Sequence, residues 1–223
     1  MKSATFSDHE LASEVFTVYV VEDDIIMNEA ICLLARSVGV DAQGFLNVQD
    51  FLTCKRSAGP SCLVLDIRLR GSSGLALQDL LKSEHDPIPV IFVTGHADIP
   101  MSVRAMKAGA IDFLTKPFRD QDLLDAIAIS LERDAARLIQ ERQDNDVHVR
   151  FEAMVERERE VMAAAAAGKL SKQIADELGI SEVTVRVYRS SAMRKMRANS
   201  FAELVLLAHR LGIVVKDDRN SLN

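Results

Sequence analysis

The chain has 223 residues, of which 48% are hydrophobic, with 27 basic and 33 acidic side chains. This composition is ordinary for a globular protein and excludes a wholly disordered chain. No uncharged apolar run approaches the roughly 18 residues that a membrane helix needs, so we expect no contact with a membrane. Cys32, Cys54 and Cys62 are odd in number and lie far apart among apolar residues, which favours buried thiols in a reducing, cytoplasmic compartment.

Short apolar runs alternate with amphipathic segments from residue 17 to residue 131. The apolar runs predict strands at 17–21, 40–45, 62–65, 89–93 and 111–114. Helical spacing predicts segments through 27–38, 47–52 (with Asn47 as the cap), 77–81, 101–108 and 123–131, and glycines at 71 and 74 predict a loop before the third helix. Five strands that alternate with five helices indicate a parallel sheet covered by helices on both faces.

The rest of the chain has a helical pattern. Apolar spacing continues past residue 131 to Leu138, and the segment up to Asp146 lacks glycine and proline, which predicts a linker helix over 132–150. This helix either pairs with a second copy of the chain or is solvated. Beyond it, we predict an all-α domain over 151–215, too small for an enzyme core. Its four short helices are predicted at 156–167, 171–178, 182–197 and 201–211.

The charges are distributed unevenly. Residues 1–120 hold 11 basic and 16 acidic side chains, whereas residues 154–223 hold 12 basic and 9 acidic ones. Five of the basic residues lie between Glu182 and Arg197, against one acid. A lone basic helix is often only a solvated surface, but this distribution also suits a small module that binds nucleic acid beside an acidic domain.

Four predicted strands end in side chains that could form one polar site. In chain order these ends are Glu22-Asp23-Asp24, Asp66, Thr94-Gly95 and Lys116-Pro117. Ligands of open parallel sheets bind at the carboxyl ends of the strands. A single acid there is more often a helix cap, but acids that cluster need a cation, and oxygen ligands suit Mg²⁺ or Mn²⁺. With a lysine beside them, the set favours phosphoryl transfer to the Asp66 carboxylate.

These residues resemble the receiver domain of two-component response regulators, and residues 98–118 look like its FixJ-type branch. The resemblance covers residues 17–131 and implies a doubly wound, flavodoxin-like fold in which Asp66 accepts phosphate from a sensor histidine kinase. It also implies a Mg²⁺ site, a switch pair and a phosphate-binding lysine with a cis peptide before Pro117. The implied residues are Glu22 (through water), Asp23, Asp66 and the Arg68 backbone carbonyl for the metal, Thr94 and Phe113 for the switch, and Lys116 for the phosphate.

Two residues depart from the family pattern. Arg70 stands where proline is usual, which predicts a looser loop around the metal-binding carbonyl, and Glu22 replaces the commoner aspartate with a longer acid of the same charge.

Residues 172–186 predict a helix, a glycine turn and a second helix that Ser181 caps. Residues 151–212 resemble the LuxR-type helix-turn-helix, although Val155 lacks the usual capping side chain and Tyr188 replaces a common histidine. The resemblance implies base contacts by Arg186, Val187 and Ser190, and contacts to the DNA backbone by Lys172, Thr184, Arg189 and Arg194. The last helix would then be a dimer contact, unless its apolar residues simply pack inside the bundle; these are Leu204, Leu207, Ala208 and Leu211.

The whole pattern predicts a phosphorylation-activated transcription factor rather than an enzyme. Its predicted partners are a sensor histidine kinase, a second copy of the chain after phosphorylation, promoter DNA and RNA polymerase. One alternative is a Mg²⁺-dependent phosphohydrolase, which needs a second acid two residues after the nucleophile, where this chain has Arg68. Another is a receiver that controls DNA binding without taking phosphate.

Overall fold

The computed structural model describes residues 15–95 and 99–213. Residue 98, which begins the FixJ-like stretch, and residues 214–215, which end the predicted DNA-binding domain, lie outside this part. The chain divides into two compact units, Met1–Ile139 and Gln140–Asn223. Within the described ranges, no helix is both long enough and apolar enough to cross a membrane.

The first unit is built on a five-stranded parallel sheet. Its strands are β1 Thr17–Val21, β2 Asp41–Phe45, β3 Ser61–Asp66, β6 Val90–Thr94 and β7 Asp112–Thr115, in the spatial order β2-β1-β3-β6-β7. The helices between them are α1 Ile25–Ser37, α2 Val48–Thr53, α3 Gly74–Ser83 and α4 Ile99–Lys107. The predicted strands and helices are all present, and Asn47 caps α2 by accepting a hydrogen bond from the Asp50 amide.

Successive residues of the central strands pack into two separate cores, one on each face of the sheet. Tyr19 and Val21 belong to one core, and Val18 and Val20 belong to the other. Because both faces are covered, the strand reads as an unbroken apolar run instead of an alternating one. The predicted doubly wound α/β fold is confirmed.

The glycine-rich stretch after Asp66 is more regular than the sequence suggests. Two short strands, β4 Arg68–Leu69 and β5 Ser72–Ser73, pair as an antiparallel hairpin across Arg70 and Gly71, and Gly71 has a φ of 77°. Arg70 lies in the turn of this hairpin, and the looser loop expected from it stays a prediction. Gly74, predicted in the loop, is instead the first residue of α3.

The helix that follows the sheet does not stop at residue 131. The helix α5 runs unbroken over Asp120–Glu152, with residues 120–139 in the first unit and residues 140–152 in the second. Val147 is buried in a core of the second unit, and Phe151 packs against it. Much of the expected linker therefore belongs to the second unit, and the boundaries 17–131, 132–150 and 151–215 stay predictions.

The second unit adds four helices close to the predicted ranges: α6 Glu156–Ala166, α7 Ser171–Leu178, α8 Glu182–Met196 and α9 Phe201–Arg210. Gly179 ends α7 in the left-handed conformation, and Ser181 caps α8 by accepting from the Thr184 amide. Val155 supplies no side-chain cap to α6, as expected, but its amide donates to Glu158 Oε2 at 2.9 Å.

Four apolar residues of α9 and its C-terminal cap pack into the core of the second unit. Leu204 and Ala208 are fully buried, and Leu207 and Leu211 pack partly buried against the same core. Packing within the domain accounts for the two fully buried residues, and the dimer contact by the last helix stays a prediction. Leu206 of this helix is exposed.

All three cysteines are free thiols. Cys32 and Cys62 are buried as expected, whereas Cys54 is only half-buried.

Candidate functional site

Three carboxylates meet where two central strands of the sheet end. Glu22 follows β1 and Asp66 is the last residue of β3, its neighbour in the sheet. Oxygens of Glu22, Asp23 and Asp66 all lie within 4.8 Å of one another. Glu22 and Asp66 are buried, and Asp23 is half-buried. The predicted convergence of these acids is present in the structure.

A lysine from the neighbouring edge of the sheet joins the acids. Lys116 Nζ donates to Asp66 Oδ2 at 2.9 Å and to Glu22 Oε2 at 2.5 Å. It follows β7, and its amide donates to the Thr94 carbonyl at 2.8 Å, which fixes the end of β7 beside the end of β6. The Lys116–Pro117 peptide is cis, as the resemblance implied. Lys116 is thus fixed against the carboxylate predicted to take the phosphate.

Burial and the neighbouring charges set the protonation of this cluster. Burial raises the pKa of Glu22, and the nearby Asp66 carboxylate raises it further, while the hydrogen bond from Lys116 opposes both effects. Burial by itself would lower the pKa of Lys116, but its hydrogen bonds to the two carboxylates outweigh burial and raise it. The lysine is therefore a cation at neutral pH.

The two predicted switch residues lie on adjacent strands. Thr94, the last residue of β6, is almost fully buried. Phe113 on β7 is half-buried, packs against one core of the sheet, and has its ring centroid 6.4 Å from that of Phe92. Asp24, by contrast, does not join the acid cluster, because its side chain caps α1 by accepting from the Ile26 and Met27 amides.

A buried amide that the sequence reasoning did not single out fixes the loop that carries Glu22 and Asp23. Asn28 Nδ2 donates to the Glu22 carbonyl at 3.2 Å and to the Phe45 carbonyl at 2.9 Å. Gly44 makes room for this side chain, since a Cβ there would lie 1.9 Å from Asn28 Oδ1. The only signal in the sequence is a polar residue within the apolar stripe of α1.

The backbone beside Asp66 is equally close-packed. The Arg68 amide donates to Asp66 Oδ1 at 3.0 Å, so the residue predicted to offer its carbonyl to a metal also orients the carboxylate. Gly74 lies against the Asp66 backbone, where a Cβ would be 2.3 Å from the Asp66 carbonyl oxygen. Glycine is therefore required where α3 begins.

A second cation reaches the cluster from the hairpin. Arg70 Nε lies 3.1 Å from Asp23 Oδ2, so the residue that departs from the family pattern forms an ion pair with a predicted metal ligand. The sequence reasoning considered Arg70 only for its effect on the loop and missed this contact.

The donor set fits a hard divalent cation. Three carboxylates whose oxygens lie this close repel one another unless positive charge lies among them, and oxygen donors are the ligands that Mg²⁺ prefers. Glu22, Asp23 and Asp66 could hold such an ion.

The second unit presents a basic helix surface. On α8, the side chains of Val185, Ala192 and Met196 are fully buried. Most of the predicted DNA contacts on α7 and α8 are exposed, namely Lys172, Arg186, Val187, Ser190 and Arg194. Thr184 is half-buried, and its hydroxyl lies 2.8 Å from that of Ser181.

Two basic residues of α8 are engaged within the domain. The Arg189 guanidinium is half-buried 3.8 Å above the centre of the Phe201 ring, a cation–π contact between α8 and α9. Lys195 donates to the buried Glu158 at 2.7 Å and to the Ala153 carbonyl at 3.3 Å. These contacts fix α8 on its neighbours, and they reduce the number of charges available to a ligand.

Both units match known families. Residues 18–128 match the response regulator receiver domain, and residues 152–208 match the bacterial regulatory proteins of the luxR family. The chain is 48% identical over 205 residues to nodulation protein W of Bradyrhizobium diazoefficiens, covering 92% of this chain and 90% of that protein. It is 40% identical over 206 residues to the response regulator protein TodT of Pseudomonas putida, covering 90% and 88%.

Solved structures agree with this assignment. The response regulator StyR matches with a TM-score of 0.79 and 44% identity over 88% of this chain and 99% of that one. Full-length FixJ from B. japonicum matches with a TM-score of 0.51 and 37% identity over 89% and 98%. The transcriptional regulatory protein FixJ of B. diazoefficiens is 38% identical over 197 residues, covering 88% and 96%. The chain belongs to the FixJ-type two-component response regulators, and it is a transcription regulator with a receiver domain and a LuxR-type DNA-binding domain rather than an enzyme.

Proposed function

We propose that Asp66 accepts a phosphoryl group from a histidine of a sensor kinase and that this modification controls promoter binding. The contact of Lys116 Nζ with Asp66 Oδ2, at 2.9 Å inside a cluster of three acids, carries the proposal. An oxygen of Asp66 would form a bond to phosphorus while the bond from phosphorus to the kinase histidine nitrogen breaks. The product is an acyl phosphate on Asp66 and a free histidine.

Magnesium would be held by Glu22 through water, by Asp23 and Asp66, and by the Arg68 backbone carbonyl. When bound, it would supply positive charge that offsets the acids and the incoming phosphoryl oxygens. Lys116 keeps its proton in this site, and its ammonium would hold a phosphoryl oxygen once Asp66 is modified. A buried Thr94 hydroxyl at the adjacent strand end is suited to hold a second oxygen.

Modification would replace the single negative charge of the Asp66 carboxylate by a phosphoryl group with about 1.5 to 2 negative charges, at the strand end next to that of Thr94. Movement of Thr94 toward the phosphoryl group would leave space for the half-buried ring of Phe113 and so alter the surface formed by α4 and β7. We propose that this surface then pairs with a second copy of the chain. Raising the fraction of chains in the active state from 1% to 99% requires that this state be favoured over the inactive one by an additional free energy of about 5.5 kcal/mol. Such an interface and one dianion can supply this free energy together.

In the resulting dimer, α8 of each copy would enter the major groove at half-sites about one helical turn apart. Arg186, Val187 and Ser190 would face the bases, and Lys172, Thr184 and Arg194 would face the backbone. Arg189 is also assigned to the backbone, although its stacking on Phe201 makes it as much a support for α8 as a contact. RNA polymerase would be recruited by the DNA-bound dimer.

The test treats the full chain with Mg²⁺ and acetyl phosphate, then measures acyl phosphate by intact mass and promoter binding by gel shift. Asp66→Asn should remove both the acyl phosphate and the gain in DNA affinity. Asp24→Asn is the matched control, because it makes the same change nearby while asparagine caps α1 as well as aspartate does. If Asp66→Asn, treated with acetyl phosphate, dimerises and binds DNA as strongly as the unaltered chain does, the switch is refuted. A receiver that acts without phosphate would then be favoured.

A further inference from the structure

The guanidinium of Arg70 forms an ion pair with Asp23, the one carboxylate of the cluster that Lys116 does not contact. Lys116 donates to Glu22 and Asp66, whereas Asp23 is paired with Arg70 at 3.1 Å. Each carboxylate of the cluster is therefore matched to a cation of the chain itself.

Arg70 reaches this position because of where it lies in the hairpin. It occupies the two-residue connection between β4 and β5, directly before Gly71, whose φ of 77° turns the chain back. The side chain therefore projects from a tight turn four residues after Asp66.

We propose that Arg70 is a tethered cation that competes with Mg²⁺ for the Asp23 carboxylate. This inference rests on the proposed function and adds a regulatory consequence to it. Before the ion can use Asp23 as a ligand, the guanidinium must give up its ion pair, and it then stays nearby as a like charge. Arg70 would thus raise the concentration of free Mg²⁺ at which the receiver can take phosphate.

The expected effect is modest because Arg70 is 88% exposed while Asp23 is 19% exposed. Exposed ion pairs are weak, and their usual strength corresponds to about a two- to fivefold change in an equilibrium constant. The effect should also depend on salt, since the screening length falls to about 3 Å at 1 M ionic strength.

The test is isothermal titration of the full chain with MgCl2 in low salt and again in 1 M KCl. Arg70→Gln and Arg70→Pro both remove the charge, and proline suits the turn position before Gly71. Both should lower the Kd for Mg²⁺ by about two- to fivefold relative to the unaltered chain, and the ratio should shrink toward one in high salt. Arg70→Lys, which keeps the charge, should bind Mg²⁺ nearly as weakly as the unaltered chain does.

Lys82→Gln is the control for net charge, because Lys82 is exposed in the last turn of α3 and its loss should leave the Kd unchanged. Equal or weaker Mg²⁺ binding by both charge-removing variants, while the unaltered chain binds Mg²⁺ and takes phosphate, would overturn this inference alone. Failure of every variant and of the unaltered chain to bind Mg²⁺ would overturn the proposed function as well. Equal tightening in Lys82→Gln would also contradict the inference, because the effect would then come from net charge.

Discussion

Replacing Gly44 by alanine should destabilise the first unit through one side chain, Asn28. The backbone of β2 accepts alanine, because strand conformations suit all residues with a Cβ. The space around residue 44 is too small for a methyl group, since the new Cβ would lie 1.9 Å from Asn28 Oδ1. Asn28 must therefore leave its position between β1 and β2.

The cost follows from what Asn28 loses. Its amide donates two hydrogen bonds of 3.2 Å or less, to the Glu22 and Phe45 carbonyls, each with a net value of about 1 kcal/mol. Overpacking in a closed site adds about 1–3 kcal/mol. We expect Gly44→Ala to lower the free energy of unfolding by about 3–5 kcal/mol and to loosen the loop that carries Glu22 and Asp23.

The assay must report on one unit, because a chain with two units need not unfold in a single step. The chain has no tryptophan and two tyrosines, and Tyr19 is fully buried in the core of the sheet. Urea unfolding followed by tyrosine fluorescence in a Tyr188→Phe background therefore reads the first unit alone. Gly95→Ala is the matched control, since a Cβ there meets nothing within 4 Å.

The effects of changing Gly44 and Asn28 should not be additive, because the two residues act through one contact. Asn28→Ala alone should cost about 2 kcal/mol from the two lost hydrogen bonds. In that background the clash is gone, and the nearest remaining contact of the Gly44→Ala methyl group is Cys32 Sγ at 3.2 Å, so the second change should cost less than about 1 kcal/mol. Fully additive losses would show that Gly44 acts through something other than Asn28, and the explanation would fail.

Four further predictions concern the second unit. Burial tends to raise the pKa of Glu158, but hydrogen bonds from Lys195, Ser191 and a backbone amide lower it. The ionised Glu158 should therefore stabilise the folded state above its unfolded pKa near 4.5, and this stabilisation should be lost as the pH falls through the lower pKa of the folded state. In acid unfolding followed by circular dichroism, Glu158→Gln should remove this pH dependence. Lys195→Met leaves a buried carboxylate without its cation and should cost about 1–3 kcal/mol in urea unfolding, whereas a loss near zero would show that the ion pair contributes nothing. Arg186→Ala should weaken DNA binding by about 1–3 kcal/mol and should relax the sequence preference at a single base position. Lys172→Ala should weaken binding to all sequences alike and reduce the salt slope in fluorescence anisotropy by about one, and a sequence-dependent effect would contradict its assignment to the backbone.

The sequence predicted the order of strands and helices well because local patterns determine them. Unbroken apolar runs identify strands covered on both faces, and glycines at positive φ, such as Gly179, mark the ends of helices. The convergence of Glu22, Asp66 and Lys116 was also predictable, since residues at the carboxyl ends of parallel strands must meet at one edge.

The tertiary structure decided matters that depend on partners distant in the sequence. Asn28 and Gly44 look ordinary in the sequence, and only the packing of β2 against α1 shows that a Cβ on residue 44 would lie 1.9 Å from Asn28 Oδ1. The continuation of α5 past residue 131 was predicted from its helical pattern, but only the packing of Val147 and Phe151 shows that its last turns belong to the core of the second unit.

The sequence by itself determined which groups can carry chemistry, because residue type fixes charge, donor capacity and the period of each element. Only the tertiary structure decided which cation neutralises which acid. Lys116 reaches Glu22 and Asp66, while Arg70 reaches Asp23, and no spacing along the chain specifies that division. An ion pair depends on distances of a few ångströms between flexible side chains, and those distances exist only after the strands and the hairpin have packed.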